Sequence, residues 1–190
     1  RMRTEADGAL VTLSRARELQ REGRDIVHFE IGDPDFPTPS HILDAAYKAM
    51  QEGYTHYPPG AGFPELRSAI AERIAKTRGI QVDTGQVIVT PGSKAVMFYA
   101  MHILGEPGTE IICPNPGMPE FEAVARFIGA TVVPVRLLPE KDYRIDLDHL
   151  ESQLSEKTRL IMLVSPHNPT GSVYPNEDLQ KIAEMVKNIP

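Results

Sequence analysis

Asn168 stands between two prolines in Ser165-Pro166-His167-Asn168-Pro169-Thr170-Gly171, directly after the apolar run Arg159-Leu160-Ile161-Met162-Leu163-Val164. Each proline fixes φ and removes a backbone donor, so the Asn168 amide is held on a stiff loop. If the apolar run is a parallel strand, the loop leaves its carboxyl end, where open α/β sheets bind ligands. Two readings follow from these residues alone: a rigid amide that orients a ligand, or a loop that merely turns the chain toward a helix. The Asn168–Pro169 bond is a candidate cis peptide. His167 reads as a loop or packing histidine and receives no proton-transfer role.

A second constellation is Val89-Thr90-Pro91-Gly92-Ser93-Lys94-Ala95-Val96. A strand that turns through Gly92-Ser93 into a helix exposes free N–H groups at the positive end of the helix dipole, which suits a phosphate. The Gly-x4-Gly-Lys spacing of a Walker loop is absent. Simple helix capping by Ser93 is the other reading. Gly32 lies in a turn where the lack of a side chain lets a ligand approach the backbone. Asp33 and Asp35 look like a paired acid and base, but their proline neighbours make them turn residues. Tyr57, ahead of Pro58-Pro59-Gly60-Ala61-Gly62, reads either as a binding hydroxyl or as an aromatic anchor for the turn.

The elements that would position these residues alternate. Leu10, Leu13, Ala16 and Leu19 predict a short amphipathic helix that stops at Gly23. Ile26–Glu30 reads as a brief strand, and Ser40 as the N-cap of a helix through Met50. Pro64 opens a helix from Glu65 to Thr77 that Gly79 ends. Strands are expected at 86–90, 110–114, 130–137 and 160–165, and helices from Ser93 to Leu104, Phe121 to Ile128, Leu147 to Leu154 and from Pro175 or Asn176 onward. Strands alternating with helices of about ten residues signal a parallel or mixed sheet with crossover helices, an α/β class.

Composition bounds the rest. The 190 residues, 41% hydrophobic, suffice for one sizeable core. A net charge of −6 with interspersed signs argues against a nucleic-acid surface. No run approaches the ~20 apolar residues that span a bilayer, and the lone Cys113 forms no internal disulfide. No membrane partner and no metal site are assigned, and a cytoplasmic location is the expectation.

Five segments in order resemble the class I/II aminotransferases, which are fold-type I pyridoxal-phosphate (PLP) enzymes. They are Phe29–Pro39, Tyr57–Gly62, Thr90–Lys94, Pro114–Pro119 and Ser165–Gly171. The resemblance implies the three-layer large domain of those enzymes, with a mixed, mostly parallel sheet. It is expected to be incomplete, with residues 1–40 as the amino-terminal arm and small-domain segment and 41–190 as the first part of the large domain. It implies PLP as cofactor, with Gly92, Ser93 and the Lys94 amide on the phosphate and Asn168 donating to the ring's phenolic oxygen. Tyr57 would reach the phosphate of the other subunit of a homodimer, and Gly32 would contact the substrate carboxylate. Met118 departs from the pattern, because many members stack Trp, Tyr or Phe on the ring at that place; Phe121 or Tyr99 could supply the cover instead.

The reaction implied is amino-group transfer between an amino acid and a 2-oxo acid. Lys94 lies in the phosphate turn and is not read as catalytic. The Schiff-base lysine is expected after Pro190, so no catalytic residue is assigned in this chain, which is expected not to transaminate alone. Arg1-Met2 and Asn188-Ile189-Pro190 read as the limits of a fragment, with a half-protein completed by a second chain as the alternative. A PLP-dependent lyase, decarboxylase or oxidase, or a non-catalytic ligand-sensing domain, are the other functional readings on this scaffold.

Overall fold

The computed structural model describes residues 8–187 and Ile189. Residues 1–7 of the expected arm, including Arg1 and Met2, lie outside the described residues, as do Asn188 and Pro190. The chain divides into two compact units, one of residues up to Ile26 together with Val96 onward, the other Val27–Ala95.

The first unit contains helix α1 (Gly8–Arg21) and a four-stranded sheet in the order β3-β2-β1-β4. Its strands are β1 (Glu110–Asn115), β2 (Thr131–Leu138), β3 (Arg144–Ile145) and β4 (Thr158–Ile161). β1 pairs in parallel with β2, Glu110 opposite Thr131 through Asn115 opposite Arg136, and with β4, Ile111 opposite Leu160. β3 pairs antiparallel to β2 at Leu137–Ile145 and Leu138–Arg144. Helix α5 (Pro119–Phe127) crosses from β1 to β2, α6 (Leu147–Gln153) precedes β4, and α7 (Asn176–Val186) follows it.

The two-residue period of β1 sorts its side chains onto opposite faces. Ile111 and Cys113 pack with Met101, Phe121, Ala125 and Ala130, while Ile112 packs with Val135, Leu137, Ile145, Leu150, Tyr174 and Ile182. Met101 belongs to helix α4 (Ser93–Leu104), so α4 and α5 cover one face, and α6 and α7 the other. That is a three-layer α/β arrangement with a mixed, mostly parallel sheet. Burying a side chain such as Ile111, Ile112 or Leu150 stabilises by about 1.5–3 kcal/mol. Arg144 on β3 locks α7 to the sheet: its Nε and Nη2 donate to the Asp178 carboxylate at 2.9 and 2.8 Å, and Nη2 donates to Glu177 at 2.8 Å.

The second unit holds α2 (Ser40–Gln51), α3 (Pro64–Arg78) and a 3-10 turn at Thr84–Gln86. Three expectations are corrected here. Ile26–Glu30 and 87–90 are irregular rather than strands, because no partner strand meets them among the described residues. Ser40 is the first residue of α2, and Pro39 occupies the N-cap without a side-chain hydrogen bond. β4 ends at Ile161 rather than Ser165, although the Met162 amide still donates to Ile112 O at 2.9 Å.

Candidate functional site

In the Val27–Ala95 unit, the segment before α4 folds back on itself. The Gly92 amide donates to Thr90 O at 2.8 Å and the Thr90 hydroxyl to Gly92 O at 3.0 Å. Gly92 has φ 85°, a left-handed conformation that glycine adopts without penalty, and a Cβ there would meet nothing within 4 Å. α4 begins at once with Ser93, so the first amides of a 12-residue helix open onto exposed surface. Ser93 and Lys94 are both exposed. This arrangement, an exposed glycine turn leading into the positive end of a helix, is chemically suited to a phosphate.

Tyr57 is fully exposed in the same unit, on the loop that leads into α3. Tyr54 and Phe63 flank that loop and meet edge to face, their ring centroids 5.6 Å apart. Gly32, Asp33 and Asp35 are exposed in an irregular stretch. Arg67 on α3 donates to two main-chain carbonyls of the segment before the Gly92 turn, a role with no signal in its own sequence neighbourhood.

In the other unit, Met118 and Asn168 are brought to one edge. β1 and β4 are adjacent and parallel, and the loops that carry Met118 and Asn168 leave their carboxyl ends, the usual ligand side of such a sheet. The peptide bonds Asn115–Pro116, Ser165–Pro166 and Asn168–Pro169 are cis, as expected for the last. Met118 is the N-cap residue of α5, half-buried against the Met101–Ile111–Phe121 cluster. Phe121 lies inside that cluster at 4% exposure and has no open ring face to offer, whereas Tyr99 is exposed on α4.

The Asn168 loop is anchored by its neighbour. His167 is buried, its amide donates to Ser172 O at 2.7 Å, and its carbonyl accepts from the Gly171 amide at 2.7 Å. Its Nδ1 shares a hydrogen bond of 2.9 Å with the Thr170 hydroxyl. The Tyr174 amide donates to Ser165 Oγ at 3.1 Å, closing the loop's base. Asn168 itself is exposed, so the loop holds its histidine inward and presents its amide outward. Burial keeps the His167 imidazole below the usual histidine range and therefore neutral near pH 7. Sequence reasoning gave His167 a loop or packing role; its anchoring of the Asn168 loop depends on Ser172 and Thr170, whose positions the residue types alone do not give.

No group of three or more His, Cys, Asp or Glu able to hold a metal occurs among the described residues. No helix among them is long and apolar enough to cross a membrane.

Known proteins match this arrangement. The aminotransferase class I and II family profile matches residues 24–190. The chain is 38% identical over 175 residues to a probable aspartate/prephenate aminotransferase of Aquifex aeolicus, covering 92% of this chain and 44% of that protein. It is 38% identical over 172 residues to the aspartate/prephenate aminotransferase of Thermus thermophilus, covering 90% and 45%. Among solved structures, the alanine aminotransferase from Pyrococcus furiosus superposes with a TM-score of 0.90 at 31% identity, over 98% of this chain and 47% of that one. The Thermus thermophilus aspartate aminotransferase with maleate gives 0.89 at 37% identity, over 94% and 47%. The chain thus spans a little under half the length of these relatives, and within that span it belongs to the class I and II aminotransferase family.

Proposed function

We propose that the protein carrying this chain is a PLP-dependent aminotransferase that moves an amino group between an amino acid and a 2-oxo acid, and that this chain supplies much of its cofactor site. PLP, when bound, supplies the carbonyl carbon and the electron-withdrawing ring on which amino-group exchange depends. The observation that carries the reading is the exposed Asn168 amide, held on an anchored loop at the carboxyl edge of β1 and β4. Asn168 donates to the ring's phenolic oxygen and favours its anionic form. The amides of Gly92, Ser93 and Lys94 take the phosphate, a role supported by the open helix start.

Met118 covers one ring face with a thioether, whose contact with an aromatic ring contributes ~0.3–1.5 kcal/mol. Gly32 leaves room for the substrate carboxylate. Full exposure of Tyr57 supports its reach to the phosphate of a second subunit in a homodimer. Residues 1–40 form the arm and small-domain segment, and 41–190 the first part of the large domain. A cytoplasmic compartment completes the reading.

Several relatives are named aspartate aminotransferases, so an acidic amino donor is the first to try. With 15N-labelled aspartate and 2-oxoglutarate, the protein carrying this chain transfers label to glutamate only when PLP is present. PLP binding without transfer to any 2-oxo acid would support the ligand-sensing reading instead. A sedimentation experiment that found a fully active monomer would remove the cross-subunit role of Tyr57.

A further inference from the structure

Val87–Thr90 run from the Thr84–Gln86 turn into the Gly92 turn with the composition of a strand, yet no strand pairs with them among the described residues. Arg67, in the first turn of α3, reaches two carbonyls here: Nε donates to Val87 O and Nη2 to Thr84 O, each at 2.7 Å, and Thr84 O also accepts from the Val87 amide at 3.2 Å. The Val89 amide adds a third tie by donating to Ala61 O at 2.9 Å. Beside it Gly62 packs so closely that a Cβ would stand 2.7 Å from Val89 Cβ. Asp83 fixes the start of the segment, its carboxylate accepting from the Gly85 amide at 2.7 Å and its own amide donating to Gln86 Oε1 at 2.9 Å. No carboxylate among the described residues pairs with Arg67, so the two carbonyls are what orient its half-buried guanidinium.

We propose that Arg67 is a positioning residue for the phosphate cradle. Its guanidinium ties helix α3 to the backbone that leads into Gly92, and thereby fixes the placement of the first amides of α4. This inference rests on the reading of Gly92–Lys94 as the phosphate site. Arg67 touches neither cofactor nor substrate in this role. A planar fork meets two carbonyls at once, whereas a lysine ammonium on a flexible stem meets them as a point charge and fixes neither direction. Amides held in place distinguish a ligand with a phosphate from one without, so loss of Arg67 falls on phosphate recognition rather than on the ring.

The test compares dissociation constants for PLP and for pyridoxal, which lacks the phosphate, in the protein that carries this chain. Unaltered, Arg67→Lys and Arg67→Ala proteins are measured, with a melting curve for each. The preference for PLP over pyridoxal is expected to shrink on the order of tenfold in Arg67→Lys, the size of coupling seen between energetically linked sites. Pyridoxal affinity should stay within about twofold, since ring contacts lie on other residues. If Arg67→Ala does not fold, Arg67→Lys decides alone. An undiminished preference in folded Arg67→Lys, or a parallel loss for both ligands, overturns the inference while leaving the cradle reading in place. If the unaltered protein shows no preference for PLP over pyridoxal, the cradle reading falls and this inference falls with it.

Discussion

Gly117→Ala should move the loop that carries Met118, and the size of the movement follows from one contact. A Cβ on Gly117 would stand 2.2 Å from the carbonyl oxygen of Pro114 and 3.2 Å from its carbon. Carbon–oxygen contacts across packed backbone sit near 3.3 Å, so the two segments must part by about 1 Å. Neither side yields easily. Pro114 is buried within β1 and opposes Val135 on β2, and Met118 packs on the core at the start of α5. Overpacking at a site fixed on both sides costs about 1–3 kcal/mol. For a chain of this length that lowers Tm by roughly 2–12 °C. The same displacement reaches Met118, and misplacement of about 1 Å near reacting groups can cost on the order of 100-fold in rate. Thermal melts and PLP release rates of the unaltered and Gly117→Ala proteins measure both effects. A Tm within about a degree together with unchanged PLP release would refute the argument, since a shift that size on this scale corresponds to less than ~0.5 kcal/mol.

Met118→Phe should slow PLP release if residue 118 covers the ring, because offset aromatic pairs gain ~0.5–1.5 kcal/mol beyond burial; unchanged release with unchanged activity would place residue 118 away from the ring. Cys113 is buried, and burial, with a smaller push from the Glu122 charge, raises its thiol to about 12. It should resist a thiol reagent at pH 8 in the folded protein and react fully in denaturant, and stoichiometric labelling of the native state would contradict this burial. His167 binds its proton less readily folded than unfolded. Its contribution to stability is therefore present above the ordinary histidine value of about 6.5 and is lost as pH falls below it. Urea midpoints between pH 7.5 and 5 should fall more steeply for the unaltered protein than for His167→Gln, and parallel curves would remove the buried-neutral assignment.

The seven α-helices among the described residues were legible in the sequence, because their apolar spacing and punctuation are local signals. Pro64 opens α3 at its first position and Gly79 closes it in the left-handed conformation, as their backbone preferences dictate. The strands were less legible, because a strand is defined by its partner. Ile26–Glu30 and Gln86–Thr90 have the residue types of strands, but no ladder forms at either place among the described residues. At the second, Arg67 from 20 residues away meets the Val87 carbonyl, a contact that no local pattern encodes. β3 was missed because two residues make no pattern; it exists through its pairing with the end of β2 and the hold of Arg144 on Asp178. The Asn168 loop was readable as rigid from its prolines, while the inward anchor at His167 was not.

The most direct test of the proposed PLP site is an absorbance titration of the unaltered and Asn168→Ala proteins with PLP. Asn168 is exposed on a loop whose holding contacts belong to Ser165, His167, Thr170 and Ser172, so truncation removes the amide without releasing the loop. Losing one hydrogen bond to a charged oxygen costs about 1.5–3 kcal/mol. The account predicts a dissociation constant roughly 10- to 150-fold weaker for Asn168→Ala, with an unchanged melting curve in the absence of PLP. A titration superimposable on that of the unaltered protein would contradict the assignment of Asn168 to the cofactor, and with it the central claim.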